Sequence, residues 1–273
     1  MPDAKFDAGA YWKERLRQHF DLIGVGFKRR SIAYNRQVYR LRTEALDELF
    51  RRHGWPIEGK AVLDVGCGTG YFIDHWLRRR ARQVTGIDVT EVSVERLRNR
   101  FPDARFVCAD IAEPNLDVGG TFDIVSVFDV LYHIVDDKKF EQAATNLSRL
   151  CHPGSRVIIT DMFGKCTVEV VKHVRNRSLD RYQEVFSKNG FRLLELRPLF
   201  FTLMPPSRLA SRPAYWVGAL GWEALTFPAQ WEWLGGVIGS VLYGVDSGLR
   251  RRFPRGPSHH LAVFEFTGTG PTP

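Results

Sequence analysis

The spacing of apolar positions changes near residue 55 of the chain. Upstream, apolar residues recur at helical spacing and predict one helix over residues 8–20 and another from a Ser31 cap to about His53. Downstream, short apolar runs alternate with helical patterns, which is typical of parallel strands joined by crossover helices. The predicted strands are Ala61–Val65, Gln83–Asp88, Ala104–Ala109, Phe122–Phe128, Arg156–Asp161, Phe191–Leu196 and Leu261–Thr267. Helices are predicted over Tyr71–Arg80, Glu91–Arg100, Phe140–Leu150 and Ser178–Asn189.

Residues 204–256 interrupt this alternation before the last strand, and they hold four of the seven tryptophans. A helical apolar stripe runs from Trp231 to Leu249, and three consecutive arginines follow it at 250–252. Apolar aromatics followed by cations suit a membrane-surface helix, an oligomer interface, an apolar substrate wall or additional core. The pattern thus divides the chain into a helical cover (1–54), a core (55–203), an apolar, Trp-rich helical insertion (204–256) and a last core strand with its tail (257–273).

Composition narrows the class of protein without selecting a partner. The 273 residues are 44% hydrophobic and 26% charged, which is ordinary for a globular protein. The net charge of +8 is compatible with an acidic substrate, nucleic acid or an anionic membrane surface. The first residues contain no apolar segment, so we expect no secretory signal. No run reaches about 18 apolar residues, so we expect no membrane span.

The four cysteines show no metal-binding or redox spacing. Cys67, Cys108, Cys151 and Cys166 form no C-x-x-C pair, and several fall in predicted strands or beside them. This usage favours reduced thiols in a cytoplasmic protein, and we expect no metal site.

A glycine-rich turn follows the first predicted strand, in the sequence Asp64-Val65-Gly66-Cys67-Gly68-Thr69-Gly70. Glycines let the backbone turn sharply and approach a ligand, and the N-terminus of the next helix would point at that ligand. The dinucleotide fingerprint needs a third glycine where Tyr71 stands. An acid at position 64 would lie near the mouth of the loop, where it would favour a cationic ligand over a pyrophosphate.

This D-x-G-x-G-x-G pattern resembles motif I of the class I methyltransferases that depend on S-adenosylmethionine (SAM), and the chain looks like their small-molecule branch. The resemblance covers about residues 55–200 and 259–267. It implies an α/β fold, a Rossmann-like, mostly parallel sheet of seven strands with helices on both faces and an antiparallel last strand. It also implies SAM as the cofactor and N-terminal helices that cover the SAM site, although plain packing on the sheet is an equal alternative for these helices.

Acids end three successive predicted strands at Asp64, Asp88 and Asp110, and together they indicate one crevice. Asp88 lies where a carboxylate could accept hydrogen bonds from ribose hydroxyls. In the family, an acid placed like Asp110 accepts a hydrogen bond from the adenine amine. The predicted cofactor-binding residues are Asp64, Gly66, Cys67, Gly68, Gly70, Asp88, Val89, Asp110, Ile111 and Phe128.

Two segments provide candidates for the chemistry and for the methyl acceptor. After the fourth strand, His133 is either a general base or a structural side chain, and Tyr132 lines the pocket or takes part in catalysis. After the fifth strand, Glu169 is a second candidate base or an exposed carboxylate. A basic group there suits an anionic substrate, with a solvated loop as the alternative. The predicted substrate-binding residues are Asp129, His173, Arg175 and Arg177.

The leading hypothesis is a SAM-dependent methyltransferase whose acceptor is an apolar small molecule with an anionic group, lipid-like or similar to a prenyl diphosphate. The alternatives are a non-catalytic SAM-binding or membrane-surface interaction protein and an NAD-dependent oxidoreductase. We expect no nucleic-acid partner, because no aromatic-basic binding module is evident. Peripheral membrane contact or a homo-oligomer through residues 204–256 remain open. The core motifs do not distinguish O-, N- and C-acceptors.

Overall fold

The computed structural model describes residues 7–164, 167–171, 173–207 and 212–268; within these ranges only the backbone is described for 168–171 and 212–215. Seven strands form one sheet in the order β3-β2-β1-β4-β5-β9-β8. Only β9 runs antiparallel to its neighbours, so the predicted fold class and the antiparallel last strand are confirmed. The strands of this sheet are β1 Ala61–Val65, β2 Gln83–Asp88, β3 Arg105–Cys108, β4 Phe122–Phe128, β5 Cys151–Asp161, β8 Phe191–Pro198 and β9 His260–Phe266.

Helices precede the sheet, cover both of its faces and fill the insertion. They are α1 Ala8–Gln18, α2 Leu22–Val25, α3 Ile32–His53, α4 Tyr71–Arg78, α5 Glu91–Arg100, α6 Asp137–Arg149, α7 Leu179–Lys188, α8 Arg212–Thr226 and α9 Glu232–Arg252. The long helix α3 has both predicted ends. The Ser31 hydroxyl accepts from the Tyr34 amide, and Gly54 ends the helix in a left-handed conformation that glycine adopts without strain.

The sheet carries one apolar core on each face because successive strand residues point to opposite sides. Leu63, Val125 and Ile159 pack against α6 and α7. Their neighbours Val62, Ile124 and Ile158 pack on the other face against α3, α4 and α5. The central strands β1 and β4 are buried on both faces, as their continuous apolar runs predict.

Three local predictions need correction. A small hairpin of β6 Val168–Val171 and β7 Val174–Asn176 follows β5 and was not predicted. Strand β5 begins at Cys151, so the His-Pro-Gly sequence that follows lies in the strand and does not close the preceding helix. Helix α6 begins at Asp137 because the Asp136 carboxylate caps it.

A third core joins the insertion to α3. Tyr34 and Leu41 of α3 pack with Leu203 and with Leu242 of α9, and the Tyr34 hydroxyl donates to the Leu203 carbonyl at 2.8 Å. The buried Asp246 carboxylate accepts from the backbone amides of residues 201–203. The insertion therefore stabilises helix α3.

Cys67 and Cys151 are buried and Cys108 is exposed, all three as free thiols, while Cys166 lies outside the described residues. Within the described ranges, His, Cys, Asp and Glu side chains form no cluster of three or more that could hold a metal ion.

Candidate active site

A cavity of about 550 Å³ opens at the carboxyl ends of β1, β2 and β4. It lies where ligands bind in open α/β sheets, and its volume is in the usual range for a small-molecule site. Residues of the glycine turn, of the loops after β2, β3 and β4, and of helix α1 line it. The predicted residues among them are Gly66, Gly68, Asp88, Val89, Asp110, Ile111, Phe128, Asp129, Tyr132 and His133.

The glycine turn needs glycine at the two positions that line the cavity. Gly66 has a φ of 70°, and a Cβ there would lie 2.4 Å from Cγ2 of Val130. Gly68 has a φ of 52°, and its Cβ would lie 2.9 Å from Cγ1 of Val25. A side chain at either position would strain the backbone and collide with the wall of the cavity.

The Asp88 carboxylate connects the glycine turn to β2. One oxygen accepts from the Gly68 amide at 2.9 Å, and the other accepts from the amide and hydroxyl of Thr90 at 2.9 and 2.7 Å. Burial raises its pKa, and these donors act in the opposite direction. Because a carboxylate has about four acceptor positions, capacity remains for a ligand hydroxyl.

Asp110 lies further along the same wall. Its carboxylate accepts from the Ala112 amide at 2.9 Å and pairs with the Lys139 ammonium at 3.3 Å. Val89 and Ile111 also line the cavity, so apolar side chains accompany both acids.

Three predicted cofactor residues do not line the cavity. Asp64 lies on the face of the sheet opposite to that of Val65. Its carboxyl accepts from the Ser126 hydroxyl at 2.6 Å, and burial raises its pKa to about 7. The pleat of β1 explains this, since Val65 lines the cavity and its predecessor faces the other side. The Cys67 thiol is buried beside Gly86. Gly70 begins α4, with Leu97 and Phe101 against it.

His133 combines a position on the cavity wall with one defined ring nitrogen. Its Nδ1 lies 2.9 Å from the His173 carbonyl oxygen, which can only accept, so Nδ1 carries the hydrogen. Nε2 is then an acceptor. Burial lowers the pKa of His133 to about 4, and the imidazole is neutral at neutral pH.

Asp129 occupies a backbone conformation that is rare for a residue with a side chain, with a φ of 58°. It is ion-paired with Arg42 of α3 and accepts from the Thr160 hydroxyl at 2.8 Å. The Arg42 guanidinium lies over the rings of Tyr39 and Phe200. Nothing in the sequence links Arg42 to Asp129, which lies 87 positions away.

The two arginines predicted to bind an anionic substrate, Arg175 and Arg177, do not form an anion site at the cavity. Arg177 is fully buried, donates to the Ile134 carbonyl at 2.7 Å and pairs with Asp137 at 2.9 Å. Arg175 pairs with the same carboxylate at 2.7 Å. Both guanidinium groups hold the start of α6, and neither lines the cavity.

The other two residues of this loop have different places. The His173 ring stacks on Tyr11 at 5.1 Å, and its carbonyl orients His133. Glu169 is paired by register with Arg175 in the hairpin, and its side chain lies outside the described residues.

Helix α1 supplies lining residues that the sequence reasoning missed. Asp7, Ala8, Gly9, Trp12 and Leu16 all line the cavity. The Trp12 ring contacts the His133 ring at 5.0 Å. The available signal in the sequence was the small residues Ala8 and Gly9 ahead of the aromatic Trp12, but only the packing of α1 shows that these residues face a cavity.

Carboxylates dominate the charge of the cavity. Five acids line it, and Lys139, already paired with Asp110, is the one cation among the described lining residues. The acids are Asp7, Asp88, Asp110, Asp129 and Asp136. Such a lining favours a cationic ligand and disfavours an anionic one.

Comparison with known proteins shows similarity throughout this region. Residues 62–154 match the family described as methyltransferase domain. A ubiquinone biosynthesis O-methyltransferase of Neisseria meningitidis is 35% identical over 101 residues, which cover 33% of this chain and 40% of that protein. A probable S-adenosylmethionine-dependent methyltransferase of Mycobacterium tuberculosis is 28% identical over 136 residues, covering 50% of this chain and 43% of that one.

Solved structures show the same fold at low sequence identity. The magnesium protoporphyrin IX methyltransferase of Synechocystis, solved with bound SAM, has a TM-score of 0.55 at 17% identity and covers 74% of this chain and 95% of that one. The N-methyltransferase NodS of Bradyrhizobium japonicum has a TM-score of 0.51 at 14% identity, covering 84% and 87%.

The aligned segments span less than half the length of these curated relatives, so their likeness concerns the core of the chain. The matched residues 62–154 include the glycine turn, the strand-end acids and the part of the cavity wall that follows β1, β2, β3 and β4. Residues 62–154 of this chain therefore match a methyltransferase domain, and the solved structures show the same Rossmann-like fold.

Proposed function

We propose that the protein is a SAM-dependent methyltransferase that methylates a hydroxyl of an uncharged, ring-containing small molecule. One observation carries the proposal: Asp88, Asp110 and the neutral imidazole of His133 line the same cavity. The names of several curated relatives, among them ubiquinone biosynthesis O-methyltransferases and an O-methyltransferase of Penicillium expansum, support an oxygen acceptor.

The residues around the glycine turn suit SAM. Asp88 keeps acceptor capacity for ribose hydroxyls, and Asp110 is placed to accept from the adenine amine between the apolar side chains of Val89 and Ile111. The surplus of carboxylates suits a ligand that carries a sulfonium and an ammonium group. When bound, SAM supplies a methyl group on a sulfonium, which leaves as a neutral thioether.

We place the acceptor beside the rings of Trp12 and Tyr132, which line the cavity and contact His133. His133 there accepts the hydroxyl proton at Nε2, since its Nδ1 hydrogen is directed to the His173 carbonyl. Tyr132 is half-buried on the cavity wall, and desolvation raises its pKa well above the ordinary value, so it contributes shape and a neutral hydroxyl. The remaining work of the site is to position the two reactants and to exclude water.

The ion pairs of Arg175 and Arg177 bear on the charge of the methyl acceptor. An anionic group was expected to bind Arg175 and Arg177, but both are paired with Asp137. The carboxylates of the cavity would repel such a group, and we therefore propose an uncharged acceptor.

The test is methyl transfer from labelled SAM to matched pairs of hydroxylated rings, such as catechol and its carboxylated analogue protocatechuate. We expect kcat/KM to be about tenfold or more higher for the uncharged member of each pair, because the second carries a charge into an acidic cavity. Faster transfer to the carboxylated members would contradict the proposal. Tight SAM binding without transfer to any hydroxyl would favour a non-catalytic SAM-binding protein.

A further inference from the structure

The insertion exposes most of the apolar side chains that face solvent. Of the 13 large hydrophobic residues exposed in the described part of the chain, 11 lie between Trp216 and Phe253. Trp233 is 75% exposed and Val217 is 72% exposed. Soluble monomers rarely concentrate exposed apolar surface in this way, and such concentrations mark sites of interaction.

Helix α9 exposes an apolar stripe and buries charged residues, which is the reverse of the usual arrangement in a helix that faces water. One stripe is exposed and consists of Trp233, Val237, Val241 and Val245, spaced four residues apart. The opposite side packs on α3 so closely that a Cβ at Gly239 would lie 3.3 Å from the Tyr34 Cα. That buried side also carries the charged residues Asp246 and Arg250. Packing within the chain therefore accounts for the inner face and leaves the outer apolar face without a partner among the described residues.

Helix α8 continues the apolar exposure. Trp216, Val217 and Leu220 are exposed, whereas Trp222 turns inward and donates to the Thr202 carbonyl at 2.9 Å. The turn between the helices exposes Phe227, whose ring lies 6.2 Å from that of Trp231.

The acidic residues beside this apolar face have bonding partners within the chain, whereas two of the basic residues form no ion pair within the described ranges. Its acids are occupied: Glu223 pairs with Arg30 at 2.6 Å, and Glu44 of α3 pairs with Arg250 at 2.9 Å. The carboxylate of Glu232 accepts from the Ala33 amide at 3.0 Å. By contrast, Arg252 and Arg255 are exposed and form no ion pair within the described ranges. The C-terminal end of the face is thus cationic.

We propose that the apolar face of residues 216–253 docks this protein on the surface of a bilayer that contains anionic lipids. Tryptophans suit the headgroup boundary, valines suit the acyl region just below it, and the free arginines suit lipid phosphates. No helix in the described part of the chain has the length and hydropathy needed to cross a bilayer, and the docking is therefore peripheral. The proposal does not depend on the identity of the methyl acceptor.

Charge complementarity favours lipid over a second copy of the chain. A second copy docked through the same face would offer the free arginines only one exposed carboxylate of residues 216–253 that is not ion-paired within the described ranges, Glu232, because Glu223 is paired with Arg30 and Asp246 is buried. An anionic membrane supplies the missing negative charge without disturbing these pairs.

The experiment is flotation of the full chain with vesicles of phosphatidylcholine alone and with vesicles of equal parts phosphatidylcholine and phosphatidylglycerol. We expect binding to the anionic vesicles that decreases as salt is added, and weaker binding to the neutral ones. The double variant Trp233→Gln, Val241→Gln should reduce binding about tenfold or more, because it removes apolar anchors from the exposed stripe. Arg252→Gln and Arg255→Gln should each reduce binding to the anionic vesicles about fivefold.

Matched controls separate docking from a general loss of structure. Leu194→Gln changes an apolar residue that is 36% exposed on β8, and Arg192→Gln changes an exposed arginine of the same strand. Neither should alter flotation, and all variants should keep the calorimetric affinity for SAM. Absent flotation of the unmodified chain, or undiminished flotation of the double variant, would overturn the proposal. So would a concentration-dependent dimer in light scattering that Trp233→Gln abolishes without any vesicle binding, since the face would then contact a second copy.

Discussion

At the level of single residues, the site depends on the partner that each charged side chain finds. Asp64, Asp88 and Asp129 are all acids at strand ends, yet their environments differ. Asp64 is bonded to a core hydroxyl, Asp88 to the glycine turn, and Asp129 to an arginine of α3. Because burial and hydrogen bonding set both the charge and the remaining acceptor capacity, residue type alone does not give the role.

Replacing Asp88 should weaken SAM binding. Asp88→Asn keeps the size of the side chain but exchanges one acceptor oxygen for a donor, so either the Gly68 amide or a ribose hydroxyl loses its partner. We expect the calorimetric Kd for SAM to rise roughly tenfold to a hundredfold. Asp103→Asn alters an exposed carboxyl and serves as the control. Unchanged affinity in Asp88→Asn would remove this residue from the cofactor site.

His133 should act as a base over an unusually wide pH range. With a pKa lowered to about 4 by burial, the imidazole is neutral above that value and charged below it. The acidic limb of kcat/KM should therefore lie near pH 4, well below the 6.5 of an ordinary histidine. His133→Gln should lower kcat by roughly a hundred- to ten-thousandfold with little change in SAM affinity.

Two observations would contradict this role. One is half-maximal kcat/KM near pH 6.5 in the unmodified enzyme, and the other is full activity in His133→Gln. His152→Gln provides the control, because that imidazole is 45% exposed and bonds to the neighbouring Pro153 carbonyl.

At the level of elements, the site forms where helices and loops from distant parts of the chain meet. Helix α1 is capped by Asp7, which accepts from the Ala10 amide at 3.0 Å, and it places Trp12 against His133. Helix α1 therefore lines the cavity, and its role as a cover over a SAM site stays a proposal. The β6–β7 hairpin has a positioning role, since the carbonyl of His173, directly before β7, orients His133.

Helix α3 connects the site to the insertion. On one side Arg42 pairs with Asp129 at the cavity, and on the other Glu44 pairs with Arg250 of α9. Residues 204–256 are therefore more than an addition to a complete core, because they pack on the element that supports the site. The division of the chain into cover, core, insertion and last strand stays a proposal.

At the level of the whole molecule, buried ionisable groups should make stability depend on pH in opposing ways. Burial lowers the pKa values of His75, His133 and His259 to about 4. Stability from these groups is complete above their unfolded value of 6.5 and is lost as pH falls towards 4. Burial raises the pKa of Asp64 and Asp161 to about 7, which has the opposite effect.

Asp161 provides a test of this balance away from the proposed chemistry. An unfolded aspartate titrates near 3.8, so between 3.8 and about 7 the folded state holds a proton that the unfolded state lacks. Its contribution is complete below pH 3.8 and is lost as pH rises to about 7, at about 1.4 kcal/mol for each pKa unit. Asp161→Asn cannot titrate, but it can still bond to Tyr182 and to the Met162 amide.

The free energy of unfolding should therefore fall by several kcal/mol in the unmodified chain relative to Asp161→Asn as pH rises from about 4 to about 7. Urea unfolding of both proteins across this range measures the difference. Parallel stability curves would show that Asp161 is ionised in the folded chain. Asp103→Asn, with its exposed carboxyl, should follow the unmodified protein throughout.

Patterns of neighbouring residues predict the seven strands of the main sheet in their chain order, the class of fold and SAM as the cofactor. Its apolar runs predict β1, β2 and β4 at their observed bounds, because strands buried on both faces leave a continuous signal in neighbouring residues. The glycine turn is likewise a local feature. Its residues must be glycine because the backbone has positive φ angles there and passes close to neighbouring side chains. These features depend on residues adjacent in the chain.

Only the tertiary structure decided which charged groups face the cavity. Arg177 and Arg175 meet Asp137, Arg42 meets Asp129, and the pleat of β1 turns Asp64 away from the ligand. Each outcome depends on contacts between residues far apart in sequence or on the face to which a side chain points. A carboxylate or guanidinium has the same letter whether it binds a ligand or another side chain, and its partner therefore appears only when the chain is folded.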